Sequence, residues 1–285
     1  MVCCVQPYSE TTQASQSPDS NNANNESSAS KSQTNETGDN LSAAIDQDIA
    51  PDIAMILQNG VLRVGMCTID QPPFHVKNAD GSFSGFDVNF AQNLASALKV
   101  RLIIVEASDW DHTVESLYKG ETDLIVSNLT STPDRATKIC FSIPYAKIRQ
   151  CMLLNRVLLA RAGGHGLLTL RQVLSQSTNR RLVIQEGTAY VTSVSTTFPD
   201  AEIQTTKFWE DIMKQILSKE SIGTISDELE IKQQLRRVHT MELLSVILKD
   251  KFDRIVVGVP RNSTQLLHFV NTFIETNGVS CSVED

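Results

Sequence analysis

The chain has 285 residues, a formal net charge of -8 and 41% hydrophobic residues, enough for one large domain or two small ones. No Lys/Arg cluster stands out, which argues against a nucleic-acid partner, and no apolar run approaches the ~20 residues that span a bilayer. The six cysteines form no CxxC pair and the five histidines are dispersed, so neither a metal nor a cofactor is expected; pairing of Cys140 with Cys151 stays open.

Met1 to Pro7 is too short and too uncharged to be a signal peptide. Ser9 to Asn40 is almost all Ser, Asn, Thr, Gln and acid, with alanine for apolar content. Such a composition cannot bury enough surface to offset the entropy of ordering, so residues 1–50 are expected to form a disordered tether. A cysteine followed by such a tether resembles the N-terminus of a processed bacterial lipoprotein, with the lipid on Cys3 or Cys4.

Order is expected from Pro51, which starts a short helix that presents Ile53, Ile56 and Leu57 on one face and stops at Gly60. Val61 to Gly65 reads as a strand, Thr68 to His75 as a loop stiffened by two prolines, and Asp80-Gly81 as a hairpin turn. Phe86, Phe90, Leu94 and Leu98 recur every four residues, one stripe of an amphipathic helix. A strand over Val100 to Val105 and a short helix around Val114 to Leu117 follow.

Asp123 to Val126 is a short apolar run, hence a buried strand, and Thr132-Pro133 is a helix start with Thr as N-cap. Hydroxyls at Ser127, Thr130 and Ser131 lie between them, and Arg135 falls in the first helical turn. Free backbone N–H groups, a positive dipole end and a guanidinium fork suit a small anion, most simply the carboxylate of an amino acid. The β-α-β-α-β-α order favours a mainly parallel sheet covered on both faces. Ligands bind beyond the carboxyl ends of such strands, where the loops at Thr68 to Phe74, Trp110 and Ser127 to Arg135 converge.

Lys147 to Leu154 reads as a crossing strand and Arg161 to Gly166 as a loop. A second set follows: strands at Arg181 to Gln185, Glu202 to Thr206 and Ile222 to Ile225, with helices from Thr188, over Phe208 to Leu217 and over Glu228 to Val238. Asp253 to Val259 is a further strand, and Leu266, Phe269, Val270, Phe273 and Ile274 mark a last amphipathic helix. Two such α/β sets joined by two crossing strands make a two-lobed clamshell with hinge closure as its natural motion. The first lobe is expected over 51–147 and 259–285, the second over 148–258.

Val61-Leu-Arg-Val-Gly65, Pro72-Pro73-Phe74, Gly85-Phe86-Asp87-Val88, Thr132-Pro133-Asp134-Arg135-Ala136, Phe141-Ser-Ile-Pro-Tyr145 and Gln185-Glu-Gly-Thr188 stand in the order and rough spacing of a known family. Over about Pro51 to Thr276 the chain resembles the polar amino-acid solute-binding proteins of ABC importers, family 3 of the bacterial extracellular solute-binding proteins, with a type 2 periplasmic-binding fold. The resemblance implies an extracytoplasmic protein that hands a free polar or basic amino acid to a membrane permease; a monomer is expected, anchored by the lipid on its N-terminal cysteine. The resemblance also implies that Arg135 clamps the ligand α-carboxylate, helped by Thr130 and, from across the cleft, by Thr188 after Gly187. Asp227 would receive the α-ammonium, with Ser127 and Asn128 completing the cage and Trp110 packing on the ligand. Gln71 stands where the family commonly stacks an aromatic, and Asp70 is an acidic candidate beside it. Two alternatives are an enzyme similar to cyclohexadienyl dehydratases, with Glu186 as acid and His75 or His112 behind it, and a ligand-sensing binding protein.

Overall fold

The computed structural model describes residues 49–162, 169–277 and 281–282. The expected tether, with Cys3 and Cys4, lies outside the described residues except for its last two positions, and so does most of the loop expected over Arg161 to Gly166.

Pro51 opens α1 (Pro51–Asn59), and Gly60, in the left-handed region at φ 63°, closes it. After β1 (Val61–Cys67), a small hairpin of β2 (Val76–Lys77) and β3 (Phe83–Ser84) turns through Asp80-Gly81. In α2 (Phe86–Ala97), Phe90 and Leu94 are buried, as a four-residue stripe requires. Next come β4 (Arg101–Ala107), α3 (Trp110–Tyr118), β5 (Leu124–Ile125), α4 (Pro133–Ala136) and β6 (Cys140–Phe141). The second half holds β7 (Ala146–Asn155), α5 (Arg156–Arg161), α6 (Leu170–Gln176), β8 (Arg181–Gln185), α7 (Tyr190–Thr197), β9 (Glu202–Thr206) and α8 (Trp209–Leu217). It ends with β10 (Gly223–Asp227), α9 (Glu228–Arg237), β11 (Leu243–Ile255), β12 (Gly258–Val259), α10 (Thr264–Thr276) and β13 (Cys281–Ser282).

Two sheets organise these elements. The first runs β4-β1-β5-β12-β6, with β1 parallel to β4 and β5, and β12 antiparallel to its neighbours. The second runs β11-β7-β10-β8-β9 with β13 beside β7; β8 is parallel to β9 and β10, while β7 is antiparallel to β10 and β11. Each sheet is covered on both faces. Residues of α1, α2 and α10 pack one face of the first, and Trp110, Val114 and Leu117 of α3 the other. Tyr190 and Val194 of α7 lie in one core of the second sheet, and Trp209, Ile212 and Ile231 of α8 and α9 in another. Burial on both faces explains why the inner strands read as near-continuous apolar runs.

Two passages lead from strand to strand between the sheets, β6 to β7 and β11 to β12, and they hold each other; β13, after α10, lies in the second sheet again. The Ser142 N–H donates to the Val257 carbonyl at 3.0 Å, the Val257 N–H to Ser142 Oγ at 2.9 Å, and the Tyr145 N–H to the Ile255 carbonyl at 2.9 Å. The crossings therefore lie at 142–145 and 256–257. The stretch Lys147 to Leu154, expected to cross, sits wholly inside the second sheet as β7. The single strand expected over Asp253 to Val259 is divided between the sheets, because β11 ends at Ile255 and β12 starts at Gly258. Residues 243–252 are strand without having been expected so. They carry Lys249, Asp250 and Lys251, and the pairing with β7 slips between Ile247 and Phe252, which blurs the alternation. The helix α5 was also unexpected; Asn155 caps it by accepting from the N–H groups of Val157 and Leu158. Cys140 and Cys151 are both free, one on each sheet.

Candidate functional site

The site is built from the loop between β5 and α4. Residues 129–131 are tied to the second crossing: the Val256 N–H donates to the Leu129 carbonyl at 2.9 Å and the Ser131 N–H to the Arg254 carbonyl at 3.1 Å. Thr132 caps α4, its hydroxyl accepting from the Arg135 N–H at 3.2 Å. The Arg135 side chain therefore leaves a short, fixed helical turn and is buried, 6% exposed. Its Nη1 donates to the Thr130 carbonyl at 3.0 Å and its Nη2 to the Gly187 carbonyl at 3.0 Å. Both partners are neutral, and among the described residues Arg135 forms no ion pair. Burial lowers its pKa, against the opposing pull of Asp111 and Asp134. A guanidinium still stays charged at neutral pH.

The opposite wall is acidic. Asp227 ends β10 and caps α9, its Oδ1 accepting from the Glu230 N–H at 2.8 Å. Burial pushes its carboxyl up to about 7, with Glu230 and Asp253 adding to the rise. Asp253, near the end of β11, accepts from the Tyr190 hydroxyl and from Gln150 Nε2, the latter at 2.7 Å. Burial raises the Asp253 carboxyl too, while burial and the neighbouring Asp253 hold the Tyr190 phenol well above its ordinary value.

These groups meet in one cavity. The first-sheet side supplies Gln71, Trp110, Asn128, Thr130 and Arg135; the second supplies Gln185, Thr188, Tyr190, Ser226, Asp227 and Asp253. The charged side chains lining it are one guanidinium and two carboxylates. Trp110 is fixed by its indole N–H, which donates to the Ser127 carbonyl at 3.0 Å. Asn128, at φ 45°, is held by its own N–H donating to Asp87 Oδ2 at 2.7 Å. Thr188 Oγ1 donates to the Gln185 carbonyl at 2.7 Å, closing the turn into α7. Space for the centres of water-sized molecules is about 30 Å³, and ~10–15 Å³ holds one water.

Some expected residues stand elsewhere. Ser127 does not line the cavity: its hydroxyl accepts from the Cys67 N–H at 2.8 Å and its carbonyl is taken by Trp110. Asp70 and Gly187 border an adjoining outer cleft that shares Gln185 with the cavity, and Asp70 accepts from the Lys77 N–H at 2.9 Å. Gly187 still reaches the site through its carbonyl on Arg135. The three groups proposed for acid chemistry are also outside the cavity. Glu186 is exposed, His75 is buried against Asp87 at 3.1 Å, and exposed His112 pairs with Asp109 at 2.7 Å. Conversely, Asp253, Tyr190, Gln185 and Ser226 line the cavity without having been singled out as ligand groups.

The profile of the bacterial extracellular solute-binding proteins, family 3, matches residues 62–278. The chain belongs to this family. The cyclohexadienyl dehydratase of Pseudomonas aeruginosa is 36% identical over 92 residues, covering 32% of this chain and 34% of that protein. The L-cystine-binding protein TcyJ of Escherichia coli is 34% identical over 90 residues, covering 32% of this chain and 33% of that protein. The chain thus spans about a third of the length of these curated relatives. Among solved structures, the ancestral amino acid-binding protein AncCDT-1, a precursor of cyclohexadienyl dehydratase, superposes with a TM-score of 0.66 at 23% identity, over 81% of this chain and 96% of that one. The family-3 chain therefore has the type 2 periplasmic-binding fold. Family 3 proteins are extracytoplasmic, and no helix among the described residues is long and apolar enough to cross a membrane.

Proposed function

We propose that this family 3 protein captures a free amino acid between its two lobes and presents it to the permease of an ABC importer. The observation that carries the reading is that Arg135 and Asp227, both buried and one from each side, line the same cavity. A zwitterion has one end for each. The α-carboxylate accepts the guanidinium fork, with Thr130 and Thr188 beside it, and the α-ammonium is received by Asp227 and Asn128. Trp110 and Gln71 flank the ligand. Drawing the two ends from different lobes makes closure depend on ligand, because only the closed form satisfies both charges. The lobes divide at the two crossings, 51–141 with 258–277 in one and 146–255 with β13 in the other, which moves the expected bounds at 147 and 259–285. A tether over 1–50, with lipid on Cys3 or Cys4, holds the monomer at the outer face of the membrane. The protein is a carrier and performs no chemistry on its ligand.

A thermal-shift screen over the common amino acids tests this, since a ligand that binds only the folded state raises its melting temperature by mass action. At least one polar amino acid gives a clear upward shift. Absence of a shift with every amino acid, or turnover of prephenate or arogenate, contradicts the reading.

A further inference from the structure

With Arg135 and Asp227 taken by the two ends of a zwitterion, one charged group in the cavity is left without a counterpart: Asp253. It is 3% exposed and stands on β11, one residue past the position facing Arg149 of β7. Gln150, on the same strand β7, faces Asp227 across the other edge and donates to Asp253. The two carboxylates therefore flank one glutamine, and Asp253 adds to the rise of the Asp227 carboxyl. Among the described residues the partners of Asp253 are donors, the Tyr190 hydroxyl and the Gln150 amide, so its oxygens act as acceptors. Each carboxylate oxygen keeps a second acceptor site.

Resting on the amino-acid reading above, we infer that Asp253 is the specificity-determining group of this cavity and receives a second cationic group on the ligand side chain, so that the substrate class is a basic amino acid. Charge bookkeeping supports this. With both carboxyls ionised, Arg135 against Asp227 and Asp253 leaves the closed cavity one charge negative; a neutral zwitterion keeps that imbalance, which burial otherwise relieves by protonating a carboxyl, and a ligand of net charge +1 removes it. An uncompensated buried charge is costly, and cancelling it is what discriminates between ligands. An acidic amino acid would add a third anion to the same space.

Isothermal titration of the full chain with L-lysine, L-ornithine, L-arginine, L-glutamine, L-leucine and L-glutamate decides the matter. The three cationic amino acids bind wild type at least about tenfold more tightly than glutamine or leucine, and glutamate does not bind measurably. Asp253→Asn weakens the cationic ligands by about thirtyfold or more and changes glutamine by less than about threefold. Tighter binding of glutamine, leucine or glutamate to wild type overturns the inference by itself, whether or not the variant folds, and leaves the amino-acid reading standing. Equal weakening of all ligands by Asp253→Asn overturns it too, since Asp253 would then serve the α-ammonium. An unchanged cationic preference in the variant does the same. If no amino acid binds wild type, the functional reading falls and this inference with it.

Discussion

Arg135 Nη2 donates to the carbonyl oxygen of Gly187 at 3.0 Å, joining the helix after β5 of one sheet to the turn after β8 of the other. A neutral carbonyl is a weaker partner for a guanidinium than a carboxylate. The contact holds the walls together in a way that a ligand carboxylate can replace. Arg135→Ala should therefore abolish ligand-induced thermal stabilisation. It should weaken binding by about thirtyfold or more, because truncating one partner of a buried charge pair costs ~2–5 kcal/mol. The unliganded melting temperature should move little. Titration calorimetry of both proteins with the best amino acid checks this.

Asp227 links binding to pH. Its carboxyl stands at about 7 in the folded protein and near ~3.9 unfolded. Across that interval the native state keeps a proton that the unfolded chain has lost. This contribution to stability is complete below about pH 4 and disappears as pH rises to about 7. The melting temperature of unliganded wild type should fall relative to Asp227→Asn between about pH 5 and pH 8. A ligand ammonium favours the ionised carboxylate, so binding near pH 6 should expel a proton and affinity should rise toward pH 8. Calorimetry in buffers of different ionisation enthalpy measures that proton, and Asp227→Asn should remove it.

Asp87 acts behind the cavity. It is fully buried and accepts from the Asn128 N–H, from the Tyr145 hydroxyl at 2.8 Å and lies 3.1 Å from His75 Nδ1. Asp87→Ala strands several buried polar groups at once, each worth ~1–3 kcal/mol. The variant should lose at least about 3 kcal/mol of stability by denaturant unfolding. Where it stays folded, it should also bind amino acid more weakly, since Asn128 loses the bond that fixes it.

Gly85 sits at φ 121° at the start of α2, and a Cβ there would lie 2.3 Å from the Phe74 carbonyl oxygen. Backbone cannot yield as a flexible side chain does. Gly85→Ala should cost about 2 kcal/mol or more, visible as a drop in melting temperature with ligand specificity unchanged.

The place of Arg135 in the cavity wall was legible in the sequence because it is local. Thr132-Pro133 announces a cap, and the cap dictates where Arg135 emerges. Asp227 follows from the family resemblance; its local signal announces only the cap it forms on α9. Asp253 was not legible. Its place depends on how β11 pairs with β7 over a slipped register, and on the chain leaving one sheet at Ile255 for the other at Gly258. A charged residue before an apolar run looks like a solvated strand start until that pairing is known. Tyr190 was missed for a related reason: its hydroxyl partner lies 63 residues away, beyond any local pattern. Ser127 erred in the other direction. Its hydroxyl and carbonyl suited an ammonium cage, but Cys67 and Trp110 occupy both.

The central claim is that the cavity holds an amino acid by its carboxylate at Arg135. Calorimetric titration of wild type and Arg135→Ala with the best-binding amino acid and with its decarboxylated amine tests this most directly. The amine should bind wild type at least about thirtyfold more weakly than the amino acid, and Arg135→Ala should erase that difference. Equal affinity of wild type for the two compounds, or an undiminished difference in Arg135→Ala, would contradict it.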